Sequence, residues 1–182
     1  NNVLGVDIDA KQVEIAKLAG VNCVRADALV FLEKSRETYD AILAFNFLEH
    51  FDLEDALKLC KLCYSQLSKG GALIILTPNA ANPLATRNIY NDLTHRIGAF
   101  TETSIAQLLK LAGFNRVILR NVKTFGMEDR RLTKTLIKAM ATLIIYITWG
   151  LIKLFFIMNG TIPPKVLSND LLAIAIKDDD TS

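Results

Sequence analysis

Four polar side chains in this sequence each close a short apolar run: Asp7 after Val3 to Val6, Asp27 after "NCVRA", Asn46 after "YDAILAF" and Asn79 after "ALIILTP". A brief apolar run that passes straight into a helical pattern reads as a buried parallel strand, and its last residue lies at the strand's carboxyl end. In open α/β sheets ligands bind outside those ends. Two carboxylates and two amides on one rim would offer acceptors and donors to a ligand carrying hydroxyl and amino groups. Three also have a plainer use, Asp27 as N-cap of the helix that follows, Asn46 and Asn79 as ordinary loop residues, while Asp7, which the cap at Asp9 does not need, is left free for a ligand. The pattern contains no nucleophile triad. General-base chemistry would fall to the two histidines, His50 and His95, whose unperturbed pKa lies near neutrality. His50 could equally be a structural histidine at a helix start. His95 lies in the polar stretch "NIYNDLTHRIGAF" with Tyr90, Asp92 and Arg96, and loops on such a rim carry function.

These residues need a scaffold, and the chain alternates in the way that builds one. Asp9 caps a helix over Ala10 to Leu18 that stops at Gly20, "ALVFLEKS" gives a second helix, and a long third runs from about Leu53 to Leu67, ending at Gly70-Gly71. "FTETSIAQLLKLAGF" is a helix capped by Thr101 and stopped by Gly113, while "NRVILRNV" and "NDLLAIAI" complete the strands. Strands and helices alternating at this spacing predict an α/β fold: a Rossmann-like, mostly parallel sheet with helices on both faces. In nucleotide-binding sheets an acidic strand end such as Asp7 usually closes on a ribose, with a glycine-rich turn about 20 residues upstream. No such turn precedes Asp7, and Gly70-Gly71 precedes a strand rather than following one. The first strand is therefore expected to be missing.

With 182 residues, 51% apolar and 22% charged, the chain has ample material for one core. A net charge of +2 without a basic stripe gives no reason to expect nucleic acid. Cys23, Cys60 and Cys63 are an odd count without a signal-peptide pattern, which reads as reduced thiols in a cytoplasmic setting. Cys60-x-x-Cys63 places both thiols on one helix face, and no second Cys/His pair has zinc spacing, so core packing is expected rather than a metal site.

The stretches "VLGVDID", "RADAL", "YDAILAFNFLEHF", "LSKGGALIILTPN" and "THRIGAFTETSIAQLLKLAGF" together resemble a class I S-adenosylmethionine-dependent methyltransferase. The likeness is to the small-molecule type that includes ubiquinone-biosynthesis and glycan-cluster enzymes. It implies that S-adenosylmethionine is the cofactor. Asp7 would accept hydrogen bonds from its ribose hydroxyls, Ile8 would pack on the adenine, and Asp27 would meet the adenine amino group beside the Ala28 backbone. Phe45 and Asn46 would line the methionine end, and Glu49 and His50 would lie near the cleft floor. His50 and His95 are the implied catalytic residues, with Asn79, Tyr90, Asp92 and Arg96 on the substrate side. Two other readings stand beside it: a truncated, non-catalytic, membrane-attached binding module, and a nicotinamide-dependent oxidoreductase, which would also show an acidic strand end.

One segment does not belong to the alternation. Residues 130–164 form a hydrophobic insertion that divides the α/β domain into residues 1–129 and 165–178. From Ala139 to Met158 only Lys153 is charged, a length near the about 20 residues that span a bilayer. Projected at about 100° per residue, Arg131, Lys134, Lys138, Thr142, Trp149 and Lys153 fall on one side. A helix from Arg131 to Met158 lying in the headgroup plane, a helix buried in the domain or a dimer, and a spanning segment or hairpin are the three alternatives. The first implies a peripheral membrane protein on the cytoplasmic face, with a small or lipid-linked acceptor.

Overall fold

Helices begin in this protein where a side chain can satisfy the first free N–H groups. The computed structural model describes residues 3–83, 85, 94, 100–122 and 132–178, the side chains of 132–138 and 141 apart. Asp9 opens α1 (Ala10–Leu18) by accepting from the Lys11 N–H, and Asp27 opens α2 (Ala28–Lys34) by accepting from the Val30 N–H. Asp52 opens α3 (Leu53–Gln66). Thr101 opens α4 (Glu102–Leu111) in a reciprocal box with Ser104, and Gly113 at φ +112° turns the chain out of it. The strands are β1 (Gly5–Asp7), β2 (Cys23–Arg25), β3 (Tyr39–Phe45), β4 (Leu67–Pro78), β5 (Arg116–Asn121) and β6 (Asp170–Ile176). The hydrophobic insertion forms α5 (Leu132–Met158), between β5 and β6.

The sheet is less parallel than expected. β1 and β2 pair in parallel as a two-stranded sheet, and the other four strands form a second sheet in the order β3-β4-β6-β5. In it only β3–β4 is parallel, because β6 enters between β4 and β5 and runs antiparallel to both. The cause is the connection: it leaves the end of β5 at Asn121 and re-enters beside it at Leu171, at the same end of the sheet, so the returning strand runs against the one it left. Among the described residues no ladder joins the two sheets. Leu43 and Phe45 of β3 are 59% and 51% exposed.

A second correction concerns α3 and β4. The helix ends at Gln66 and the strand starts at once, passing through Gly70-Gly71 instead of following it. Gly70 at φ +73° and Gly71 exchange backbone hydrogen bonds with Lys177. A Cβ on Gly71 would come within 2.8 Å of the Ser68 carbonyl oxygen, so this close approach requires glycine.

The core lies on one face of the four-stranded sheet. Leu73 and Ile75 alternate into it from β4, and Leu171, Ala173 and Ala175 from β6. They meet Leu59, Cys60 and Cys63 of α3 and Ile105 and Leu109 of α4. The opposite face, with Ile74, Leu76, Leu172 and Ile174, is half-buried. The helices sharing this core, α3 and α4, cover the core face.

Candidate active site

The parallel pairing of β1 and β2 sets Asp7 opposite Arg25, and the Asp7 carbonyl accepts from the Ala26 N–H. Two adjacent strands thus deliver Asp7 and Asp27 to the same edge. Neither carboxylate is wholly uncommitted. Asp7 Oδ1 accepts from the Asp9 N–H at 2.8 Å, and Asp27 Oδ1 accepts from the Val30 N–H at 3.0 Å. The sequence expectation that Asp7 has no structural duty is corrected by that first bond. Each carboxylate keeps a second oxygen with no protein partner among the described residues. Between them the Arg25 guanidinium donates to the Ile8 carbonyl at 3.2 Å and fixes the turn. The Ile8 side chain projects with 65% exposure, which water alone does not favour. Ala28 begins α2 beside Asp27, half-buried.

The second strand end is built differently. Phe45 closes β3, and Asn46 follows in the left-handed region at φ 47° while its N–H donates to the Leu76 carbonyl at 2.8 Å. Asparagine tolerates that conformation better than most residues with a side chain. The turn leads into a short 3₁₀ segment, Leu48–His50. Glu49 is 1% exposed, and its carboxylate accepts from the Thr77 hydroxyl at 3.0 Å. This bond pins the turn after β3 to the end of β4. Beside it the Phe47 and Phe51 rings meet edge to face at 4.9 Å. His50 is half-buried, with Nδ1 3.1 Å from the Thr94 hydroxyl.

Asn79 is the clearest departure from expectation. It is fully buried; its amide donates to the carbonyls of Val166 and Ser168, and its Oδ1 accepts from the Ala81 N–H. With both ends taken it has no atom to offer a substrate. It belongs instead to a clamp on the segment ahead of β6. Asn121 Oδ1 accepts from the N–H groups of Leu167 and Ser168, and the Glu102 carboxylate from those of Lys165 and Val166. His95, Tyr90, Asp92 and Arg96 lie outside the described residues.

Thr77 and Thr94 escape the sequence reading. A threonine inside an apolar strand looks like any β-branched strand residue, and only the register with Glu49 reveals its use. Among the described residues no group of His, Cys, Asp or Glu could hold a metal ion. Burial pushes the Cys60 thiol up, and pushes Cys63 up to about 12, so both stay protonated core residues.

Known proteins share this fold. The chain aligns with a SAM-dependent methyltransferase from Archaeoglobus fulgidus at 22% identity and TM-score 0.67, covering 96% of this chain and 75% of that one. An O-methyltransferase family protein from Burkholderia thailandensis aligns at 14% identity and TM-score 0.59, over 98% of this chain and 44% of the other. Human N-acetylserotonin methyltransferase, solved with SAM, aligns at 14% identity and TM-score 0.61, over 98% and 41%. No curated protein sequence matches the chain. These likenesses show the fold, while residues 1–119 match the family model described as a methyltransferase domain. The chain belongs to the methyltransferase-domain family.

Proposed function

We propose that this chain transfers a methyl group from S-adenosylmethionine to the hydroxyl of a small or lipid-linked acceptor at a membrane surface. The observation that carries the cofactor assignment is the pair of open carboxylate oxygens, on Asp7 and Asp27, flanking the exposed Ile8 at adjacent strand ends. A ribose diol donates to carboxylate oxygens, an adenine face packs on an aliphatic side chain, and an exocyclic amine donates to the second acid. In this reading Asp7 holds the ribose, Ile8 the adenine face, and Asp27 with the Ala28 backbone the adenine edge. Phe45 and Asn46 line the methionine end. Among the described residues no glycine-rich turn follows a strand, so the partner of the methionine carboxylate is left unassigned.

A sulfonium-bound methyl group is already activated, so the protein's task is to align the acceptor and take its proton. His50 is the described candidate for that proton, its ring oriented by Thr94 on one nitrogen. The turn that carries it is fixed by Glu49 and Thr77. His95, Tyr90, Asp92 and Arg96 complete the substrate side. The test is calorimetric titration of S-adenosylhomocysteine into the wild-type chain, Asp7→Asn and Asp7→Ala. Losing a hydrogen bond to a charged group costs about 1.5–3 kcal/mol, or roughly 10- to 150-fold in affinity. Asp7→Ala should show that loss at a temperature where circular dichroism still reports a folded chain. Equal affinity in wild type and Asp7→Ala would sink the assignment.

A further inference from the structure

One face of α5 is a broad exposed apolar surface. Met140, Ile144, Ile147, Leu151, Leu154 and Met158 follow one another at steps of four and three and are 51–76% exposed. Leu143, Tyr146, Phe155 and Ile157 flank them, each more than half exposed. Projected at about 100° per residue, these ten occupy an unbroken arc of about 180°. The opposite arc, with Ile145, Thr148, Trp149, Ile152 and Phe156, is half-buried. Side chains of this size, a little over half exposed, sum to an apolar patch on the order of 1,000 Å², above the few hundred Å² usual on a monomer.

Three observations identify what covers it. β5 and β6, which α5 connects, are antiparallel neighbours from Arg116↔Ile176 to Asn121↔Leu171. A single bilayer crossing would part them, and among the described residues no helix is long and apolar enough to cross. Second, half a circumference is wider than the a/d seam that one partner helix fills. A second copy seated on the seam would leave the flanking residues in water, whereas a lipid surface covers the whole arc. Third, α5 carries no acidic residue, and its Lys153 is exposed at the margin of the arc. That charge complements anionic headgroups.

We propose that α5 lies in the plane of an anionic phospholipid bilayer and seats the domain on it. The hydrogen-bonded clamp on residues 165–168 makes the return from α5 a stiff mount. The inference rests on the methyl-transfer reading only in naming where the acceptor is met. It is tested with the full chain and vesicles of phosphatidylcholine, with or without a quarter phosphatidylglycerol. The wild type should sediment with the anionic vesicles, less so as salt rises. Ile147→Glu with Leu151→Glu changes two exposed residues and should lower the partition at least tenfold, with unchanged circular dichroism. Leu111→Glu, at a 68% exposed position on α4, should leave it unaltered. Wild-type chain remaining in the supernatant with both vesicle types would overturn the proposal. So would a light-scattering dimer that the double variant splits, with no sedimentation, since the face would then belong to a second copy. Titrating S-adenosylhomocysteine into the same samples separates the two readings: ligand binding without sedimentation fails only the docking, and sedimentation without ligand binding fails only the methyl transfer.

Discussion

Replacing Thr77 by valine removes one hydroxyl and changes little in shape, at a position where the structure leaves no room for compensation. Thr77 is fully buried and Glu49 is 1% exposed, so water cannot supply the lost donor. The bond between them, 3.0 Å long, has a carboxylate as acceptor. Hydrogen bonds to charged groups contribute about 1.5–3 kcal/mol, and a buried acceptor deprived of its donor bears the desolvation cost in full. Thr77→Val is therefore expected to lower stability by about 2–3 kcal/mol, a fall in melting temperature of roughly 4–12 °C for a chain of this size. Urea denaturation followed by circular dichroism measures it as a lower midpoint at constant slope. Thr77→Ser, which keeps the hydroxyl, should recover most of the loss. If Glu49→Ala is made in the Thr77→Val background, the second change should cost less than it does in the wild type, because the pair acts as a unit. A Thr77→Val midpoint within about 0.5 kcal/mol of wild type would refute the idea that this bond fastens the turn carrying His50.

Phe114→Ala empties a fully buried site against Tyr64 and should cost about 3–5 kcal/mol in the same assay. Asp170 has its pKa raised by burial, so the folded state holds its proton to higher pH than the unfolded state does. Stability contributed by this group is thus greatest at acid pH and falls as pH rises from 3.8 through the raised value. Asp170→Asn should be more stable than wild type at pH 7, and that advantage should vanish in melts near the acid end. All three cysteines are buried, and burial raises the pKa of Cys60 and Cys63. A thiol reagent at pH 8 should label them only as fast as the chain opens, and rapid labelling of the folded protein would contradict their place in the core.

The α/β alternation was readable because each apolar run ended on a polar residue and each helix opened on its own capping side chain. Asp9, Asp27 and Thr101 cap as their spacing predicts. Helical spacing, with no second Cys/His pair at zinc spacing, puts Cys60 and Cys63 in the core, and they lie there. Pairing direction was not readable. β6 alternates buried and half-buried residues from Asp170 to Ile176, a pattern that does not say whether its neighbours run with it or against it. Nor could the sequence show the fate of Asn79, whose partners Val166 and Ser168 lie far along the chain. A polar residue at a strand end looks the same whether it faces a ligand or ties down a loop. The bond from the Asp9 N–H to Asp7 was missed for another reason: capping Lys11 already gave Asp9 a role, which hid its own backbone donor.

The position of β6 has a consequence for how the molecule comes into being. Its register places Ala72 against Ile176 and Val117 against Ala175, so β4 and β5 touch the same inner strand and neither touches the other. During synthesis from the N-terminus, both must wait with bare edges until residues 170–176 have left the ribosome. Over that interval α5 is already out, offering its apolar face to any unpaired strand nearby. Premature termination anywhere in α5 would therefore release a chain with two open strand edges and a greasy helix. Its expected fate is aggregation or proteolysis, not accumulation as a smaller working domain.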